Sequence, residues 1–230
     1  MKTPKIVSRE EWLEARKALL NKEKEFSHIR DALSQQIRNL PWVQVEKEYS
    51  FGAPSGEKSF LDLFDGRKQL VVYHFMMGPN WEAGCKSCSF WADNFNGIIS
   101  HLNQREVSMV AVSRAPIEKI EAFRKRMGWS FDWYSSLGSD FNYDFHVSAR
   151  ADEISHYNYK ESISTQDREL PGISVFALDK NNIIYHTYSR YARGLDLFNT
   201  AYHYLDIVPR GRDESELLYP QAWVKHKDLY

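Results

Sequence analysis

The sequence predicts an α/β domain preceded by a long helix. Between residues 70 and 178, apolar runs of strand length alternate with segments of helical periodicity, which is typical of α/β architecture. The run Leu70–Met77 is almost continuously apolar and indicates a central strand buried on both faces. With 230 residues and a hydrophobic share of 43%, the chain can form a core without a metal or a disulfide.

The N-terminal region predicts a helical extension over residues 1–41. Ser8 and Glu11 have the spacing of a capping box, and Pro41 ends the periodic segment. Such an apolar stripe usually packs into a core, and a dimer-forming seam is the alternative. The stripe recurs at steps of three, four or seven and comprises Trp12, Ala15, Leu19, Phe26, Ile29, Leu33, Ile37 and Leu40.

The following elements predict a central mixed sheet flanked by helices. Residues 42–49 partly alternate and predict a strand, residues 52–56 predict a turn, and residues 60–64 predict a short helical turn. Strands over 70–77, 107–112 and 131–134 alternate with helices over 89–105 and 116–127. An antiparallel hairpin follows over 172–178 and 183–188, and then a helix near 195–205. Residues 148–169 are polar, with little periodicity, and are interpreted as a functional flap or a mobile insertion.

Composition and charge favour a protein of the cytoplasm. Lys+Arg number 30 and Asp+Glu 31, so no global field attracts nucleic acid or an anionic membrane. The longest strongly apolar run is far too short to cross a bilayer, and residues 1–10 lack the apolar core of a secretory signal. We therefore expect no nucleic-acid partner, no membrane association and a reducing compartment.

The most informative motif is the pair Cys85 and Cys88, the only cysteines of the chain. The motif lies between the predicted buried strand and the predicted amphipathic helix. The first cysteine then meets the unpaired N–H groups at the helix N-terminus, which favour a thiolate, and the second follows about one turn later. This arrangement predicts that Cys85 attacks a disulfide and that Cys88 resolves the mixed disulfide.

Neighbouring residues are candidates for supporting roles. Lys86 adds a positive charge inside the motif that favours the thiolate, and Ser87 lies between the cysteines where the helix begins. Trp81 forms either an apolar wall beside the thiols or ordinary packing.

Two other interpretations of the cysteine pair remain open. The pair supplies two of the four ligands of a structural zinc site, and His74 or His101 would have to complete it. Alternatively, the thiols are buried and have no chemistry. Neither interpretation is favoured by the spacing, so no metal and no cofactor is expected.

With these elements in place, the chain resembles the thioredoxin superfamily, in the branch shared by peroxiredoxins and thioredoxin-like reductases. More closely, it is similar to an uncharacterised family, a domain of unknown function whose members are described as predicted dithiol–disulfide oxidoreductases. The segments that carry this resemblance are Gly84–Asp93, Val112–Ile120, Gly128–Trp133 and Gly138–Phe145. The resemblance implies a thioredoxin-like domain over residues 42–208 with a C-terminal tail over 209–230.

Some positions depart from the related patterns. Lys86 stands where the family commonly has proline. Thioredoxins place a cis-proline before the strand that faces the cysteines; here Ile173 occupies that position and Pro171 lies two residues earlier, so a supporting role for Pro171 stays open. The peroxiredoxin motif before the reactive cysteine is not reproduced.

The sequence thus predicts a thiol–disulfide oxidoreductase. Its expected partner is a disulfide-containing protein or a small thiol substrate, and the N-terminal stripe and aromatic tail are compatible with a homodimer. The alternatives are a non-catalytic thioredoxin-like module that binds a metal ion or a partner protein, and a thiol peroxidase.

Overall fold

A computed structural model describes residues 4–230, so residues 1–3 of the expected extension lie outside the described residues. The described chain divides between Pro41 and Trp42 into two compact units. The first contains helix α1 (Arg9–Arg38). The second contains the sheet and the remaining helices, and it includes residues 209–230.

Helix α1 begins with the capping box that the sequence predicts. The Ser8 side chain accepts a hydrogen bond from the N–H of Glu11, and the Glu11 carboxylate accepts one from the N–H of Ser8. No residue of α1 is buried, however. The unit that contains α1 therefore has no core of its own, and the expected core packing of the apolar stripe is not met within it.

The strands of the second unit form one main sheet and two small sheets, and short helices connect several of these strands. The strands are β1 (Val43–Gln44), β2 (Ser50–Ala53), β3 (Gly56–Ser59), β4 (Gln69–His74), β5 (Val107–Ser113), β6 (Trp133–Ser135), β7 (Ser148–Ala149), β8 (Ile154–Ser155), β9 (Ser162–Ile163), β10 (Arg168–Glu169), β11 (Gly172–Leu178) and β12 (Ile184–Tyr191). The helices are α2 (Lys86–Ala92), α3 (Ile99–Asn103), α4 (Ile117–Arg126), α5 (Phe141–Asp144) and α6 (Thr200–Leu205). Short 3-10 helices span Leu61–Phe64, Tyr157–Tyr159, Ala192–Phe198 and Lys227–Leu229.

The main sheet has the strand order β1-β12-β11-β4-β5-β6-β2-β3 within residues 4–230. Strands β4, β5 and β6 are parallel, whereas β11 is antiparallel to both β4 and β12. A β-α-β unit thus pairs with a β-β-α unit through β4 and β11, which is the thioredoxin-like fold. The predicted fold class, a central mixed sheet flanked by helices with an N-terminal helix, is confirmed.

Strand β4 lies between two apolar clusters, one on each face of the sheet. Tyr73 belongs to one cluster with Phe75, and Leu70 and Val72 belong to the other. Alternate side chains of a strand point to opposite faces, so both sets must be apolar when both faces are covered. This explains the continuous apolar run in the sequence.

Several element boundaries differ from the sequence prediction. The expected strand over 42–49 is reduced to β1, and residues 52–56, predicted as a turn, belong to the β2–β3 hairpin. The expected helix over 89–105 is split into α2 and α3, because the Asn94 side chain donates to the carbonyl oxygens of Phe90 and Trp91 at 3.0 Å each. The helix expected near 195–205 begins as a 3-10 helix.

Residues 148–169 contain β7 to β10, which form the two small antiparallel sheets β10-β7 and β8-β9. The region is therefore more regular than its sequence indicates. Within residues 4–230, no helix is long and apolar enough to cross a membrane.

A chain of hydrogen-bonded polar side chains crosses β4, β11 and β12, and all of them except the half-buried His186 are buried. The ring of His74 is hydrogen-bonded to the Ser174 hydroxyl at 2.8 Å, and the Ser174 and Ser189 hydroxyls are also 2.8 Å apart. His186 completes the chain through its Nε2, 2.7 Å from the Ser189 hydroxyl. Burial, together with the neighbouring His186, lowers the pKa of His74 to about 3.

We expect His74 to make the protein acid-labile. Its pKa of about 3 in the folded protein lies below the ordinary value of 6.5, so the unfolded chain binds the extra proton between those pH values. The free energy of unfolding therefore falls as the pH drops through this window, by at most about 1.4 kcal/mol per pH unit for one proton. Denaturant titrations of the wild type and of His74→Gln, repeated at several pH values, measure this slope.

The matched control is His101→Gln, which changes an exposed histidine on α3. The His74 variant should have a shallower slope than both the wild type and the control. Equal slopes in all three proteins would contradict the assignment to His74.

Candidate functional site

The two cysteines lie where the chain passes from β4 into α2. Beyond β4, the N–H of Phe75 donates to the carbonyl oxygen of Val112 at 3.0 Å, which continues the pairing with β5. The chain then forms a loop, and the N–H of Cys85 returns to the carbonyl oxygen of Met76 at 3.0 Å. Cys85 is thereby fixed as the residue that precedes the first turn of α2.

Cys85 is the more acidic thiol of the pair. The largest cause is a hydrogen bond from the Cys88 thiol; the backbone N–H groups of Cys88 and Ser87 and the Ser87 hydroxyl also contribute. Together they outweigh the effect of burial and lower the pKa of Cys85 to about 6. Cys85 is a free thiol, and it is only half-buried. At neutral pH it is therefore largely a thiolate that is partly accessible to solvent.

Cys88 has the opposite character. It is a free thiol and only 2% exposed. Burial raises its pKa well above the ordinary value, and the hydrogen bond to Cys85 and the charge of Cys85 act in the same direction. Hydrogen bonds from Tyr73 and from the backbone of Met76 partly oppose this shift. Cys88 is thus a protonated donor in the resting protein.

The structure places the four supporting candidates in different positions. Ser87 contacts Cys85 through its N–H and its hydroxyl. Lys86 points elsewhere, since its ammonium donates to the carbonyl oxygen of Ala222 at 3.1 Å and lies 5.6 Å from the centre of the Tyr219 ring. Lys86 is not among the largest causes of the lowered pKa of Cys85.

Trp81 lies in the loop before the motif and is 37% exposed. Its indole covers Gly78, where an added Cβ would lie 3.0 Å from the indole nitrogen. Lys119 on α4 donates to the Trp81 carbonyl oxygen and forms an ion pair with Glu82 at 2.8 Å. Trp81 is thus held in the loop by local packing and still presents an apolar surface to solvent.

Pro171 and Cys88 border the same cavity, which has a volume of about 270 Å³. Within residues 4–230 no peptide bond is cis, so the bond before Pro171 is trans. The Pro171 carbonyl oxygen accepts a hydrogen bond from the Tyr157 hydroxyl at 2.9 Å. The remaining lining is mostly apolar and comprises Tyr73, Met76, Ser87, Trp91, Ala192, Arg193, Leu195, Asp196 and Gln221.

Tyr73 and Tyr157 belong to the site although the sequence analysis did not select them. Tyr73 contacts Cys88, with its hydroxyl 3.4 Å from the Cys88 carbonyl oxygen. Tyr157 holds Pro171 and also accepts a hydrogen bond from the N–H of Ala192 at 2.9 Å. Tyr73 belongs to an apolar run that indicates a buried strand, and Tyr157 lies in a segment without periodicity. Neither pattern identifies a functional residue.

The C-terminal segment, residues 209–230, docks beside the cysteines. His226 is hydrogen-bonded through Nε2 to the carbonyl oxygen of Gly84 at 2.9 Å, and Asp228 forms a two-pronged ion pair with Arg126 on α4. Val224 is buried, and the Trp223 ring packs edge-on against Phe90 of α2. This segment therefore borders the Cys85 loop rather than extending freely into solvent.

Within residues 4–230, no group of three or more His, Cys, Asp or Glu side chains is arranged to hold a metal ion. His74 is hydrogen-bonded inside the sheet, and His101 is exposed on α3.

Fold and site together define a thioredoxin-fold protein with two free thiols at the start of the helix that follows the central strand. The chain belongs to the family described as "bacterial protein of unknown function (DUF899)", which it matches over residues 1–230. The resemblance stated from the sequence is thereby confirmed. A comparison with curated proteins finds no match.

Similar solved structures include peroxiredoxins. Peroxidoxin BcpB from Mycobacterium tuberculosis shares 12% identity, with 69% of this chain and 93% of that chain covered and a TM-score of 0.48. A PrxQ mutant from Xylella fastidiosa shares 14% identity over 72% of this chain and 96% of its own, with a TM-score of 0.47. Peroxiredoxin Q from Xanthomonas campestris shares 12% identity over 71% and 92%, with a TM-score of 0.44.

We expect the acidity of Cys85 to depend on the hydrogen bond from Cys88. Cys88→Ser retains a donor at this position, whereas Cys88→Ala removes it, so the pKa of Cys85 should be higher in the alanine variant. The rate of Cys85 alkylation by iodoacetamide, measured against pH, should rise through about pH 6 in the wild type. Identical profiles for the serine and alanine variants would disprove this dependence.

We expect Gly84 to tolerate no side chain. An added Cβ would lie 2.6 Å from the Phe75 ring and 2.8 Å from the Phe123 ring, both of which are buried. Gly84→Ala should therefore lower the free energy of unfolding by about 1–3 kcal/mol and displace the Cys85 loop, which slows alkylation at pH 7. The matched control is Gly97→Ala, because no atom lies within 4 Å of a Cβ added there. Equal stability and alkylation in the two variants would contradict the expected crowding.

Proposed function

We propose that the protein is a thiol–disulfide oxidoreductase in which Cys85 attacks and Cys88 resolves. The observation that carries this proposal is the opposite character of two hydrogen-bonded thiols. Cys85 is partly accessible to solvent with a pKa of about 6, and Cys88 is buried with a raised pKa. Thiol–disulfide exchange needs an accessible thiolate that attacks first and a protected thiol that attacks second.

In the first step, the Cys85 thiolate attacks one sulfur of a substrate disulfide. The Cys85–substrate S–S bond forms as the substrate's own S–S bond breaks, and the released substrate sulfur leaves as a thiolate that takes a proton from water. The result is a mixed disulfide on Cys85. At this stage Cys88 is still a thiol, and the Cys85–Cys88 disulfide has not yet formed.

In the second step, Cys88 loses its proton to solvent and its sulfur attacks Cys85. The Cys85–Cys88 bond forms, the mixed disulfide breaks, and the second substrate thiol leaves. The pair has then lost two electrons, and the substrate disulfide has gained them. A dithiol reductant can reverse the process and restore the two free thiols.

The first step prepares the second through the charge of Cys85. Burial raises the pKa of Cys88 most, but the hydrogen bond to Cys85 and its negative charge also raise it. Both of these contributions end when Cys85 becomes a neutral disulfide sulfur, whereas the hydrogen bonds from Tyr73 and Met76 remain. Cys88 therefore becomes more acidic once it is needed as the nucleophile.

The supporting residues have distinct proposed roles. Ser87 stabilises the Cys85 thiolate, and Pro171 shares a wall of the cavity with Cys88. Trp81 offers an apolar surface before the motif, and Lys86 joins the motif to the C-terminal segment. We propose as partner a disulfide-containing protein or a small thiol or disulfide compound, and as location the reducing cytoplasm, where both thiols stay free.

We expect the reduced wild-type protein to reduce a small aromatic disulfide, whereas Cys85→Ser should be slower by at least about a hundredfold, because the remaining thiol is buried and protonated. Cys88→Ser keeps the attacking thiol and should accumulate the mixed disulfide on Cys85, detected by intact mass. The release of the aromatic thiol, followed by absorbance, measures the rate. Equal rates for the wild type and Cys85→Ser would contradict the proposed function.

The same Cys88→Ser protein distinguishes the thiol peroxidase alternative. A peroxidase would convert Cys85 rapidly to sulfenic acid at low peroxide, with water or an alcohol as the second product. Rapid sulfenic acid formation, combined with no reaction towards disulfides, would replace the proposed function by peroxide reduction.

A further inference from the structure

The face of α1 that carries the apolar stripe has a seven-residue repeat. Trp12, Leu19, Phe26 and Leu33 recur at this spacing, and Leu40 continues the series just after the helix ends. Each of these four helical residues is between 45% and 62% exposed, and no residue of α1 is buried. A seven-residue apolar repeat over four heptads is the pattern of a coiled coil, in which the supercoil keeps these positions in contact with the partner helix.

The second core position of each heptad is less apolar. If Trp12 occupies position a, then position d contains Ala15, Lys22, Ile29 and Gln36. Two of these are apolar. Lys22 can lay its aliphatic stem along the seam and keep its ammonium in water, and a polar residue in the core lowers stability while it fixes the register.

The charges beside the seam fit a second copy of the same helix. In a parallel pair in register, position g of one helix faces position e of the next heptad on its partner, five residues further along. Glu25 then faces Arg30 of the second copy, and Glu11 faces Arg16. The other two g–e pairs place Ala18 opposite Glu23 and Ala32 opposite Ile37, so none of the four flanking pairs brings like charges together. Across the seam, Lys22 lies opposite Lys22 of the second copy, which lowers the stability of the pair.

Within the described residues, one of the two charged pairs consists of groups that form no ion pair in their own chain. Glu25 and Arg30 form no ion pair within residues 4–230, although they lie on the same helix. Arg16 already bonds Glu23 through one guanidinium nitrogen at 2.8 Å and its Nη1 is buried, so its pairing with Glu11 of the second copy requires the side chain to turn outwards. Each pair would be at the solvent-exposed rim, so it selects the orientation more than it adds affinity.

We propose that α1 forms a parallel, in-register two-stranded coiled coil with α1 of a second copy of this chain, so that the protein is a homodimer. A helix of 30 residues provides a seam about 45 Å long. This assignment rests on the heptad repeat, the exposure of its core positions and the complementary flanking charges. It is independent of the chemistry of the cysteines.

The test compares a seam variant with a matched control in the full chain. Leu19→Glu/Phe26→Glu changes two a positions, whereas Leu13→Glu/Leu20→Glu changes two exposed leucines at position b, outside the seam. Sedimentation equilibrium at micromolar concentrations should give a dimer for the wild type and the control. The seam variant should dissociate at least about a hundredfold more easily. Far-UV circular dichroism and thermal unfolding establish that each variant is folded.

A charge-reversal series tests the orientation. Glu25→Arg alone places two arginines face to face at each pair and should weaken the dimer, whereas Glu25→Arg/Arg30→Glu restores opposite charges in a parallel dimer and should recover its affinity. A monomeric wild type would overturn the proposal. It would do so even if the seam variant unfolds at a lower temperature, because that result would show that α1 packs within its own chain. A dimer that the seam variant leaves intact would overturn it as well, and failed charge rescue would overturn the parallel arrangement.

Discussion

The hydrogen bond between the two thiols is the interaction on which the chemistry of the site depends. It links the acidities of Cys85 and Cys88 in opposite directions, because the proton that stabilises one sulfur as a thiolate is held by the other. The N–H groups of the first turn of α2 add to this stabilisation only if Cys85 occupies the position before that turn. The backbone must therefore hold Cys85 accurately in relation to a helix of only seven residues.

That placement comes from packing around the loop rather than from the helix itself. Strand β4 is buried on both faces, and its extension at Phe75 bonds to the neighbouring strand. Gly84 lies directly against two aromatic rings, and its carbonyl oxygen bonds to His226 of the C-terminal segment. Rigid groups thus restrain the loop from three sides, which is how a site retains a fixed geometry while its reacting atom stays accessible.

Local sequence patterns predicted those parts of the molecule whose structure follows from a single local pattern of residues. The apolar run of β4, the cysteine spacing and the capping box at Ser8 each specify a local structure with a direct physical cause. The apolar run and the cysteine spacing were sufficient for the position of both thiols, and the alternation of strands with helices was sufficient for the fold class. The β2–β3 hairpin was missed because its strands are short and Glu57 and Lys58 of β3 are polar.

Long-range contacts have no signature in the local sequence. Nothing local indicates that the Lys86 ammonium bonds to a carbonyl oxygen 136 residues away, or that Tyr157 reaches Pro171. The positive charge of Lys86 gave a reasonable expectation of thiolate stabilisation, but the direction of its side chain is set by the docked C-terminal segment. Charge type can be read from a sequence, whereas the direction of a long flexible side chain depends on tertiary structure.

The acidity of Cys85 also limits how far the site can favour one direction of exchange. A lowered thiol pKa stabilises the reduced pair, because only the reduced form contains the thiolate. At pH 7, a thiol with a pKa of about 6 is mostly ionised, and its ionisation stabilises the reduced pair. An ordinary thiol is almost wholly protonated at this pH and adds no such stabilisation. The gain is therefore about 1.4 kcal/mol, or about 30 mV for a two-electron couple. This is small compared with the range that separates strong biological reductants from strong oxidants. The ionisation of Cys85 thus sets the order of attack, and the direction of net electron flow depends on the partners that supply and accept the electrons.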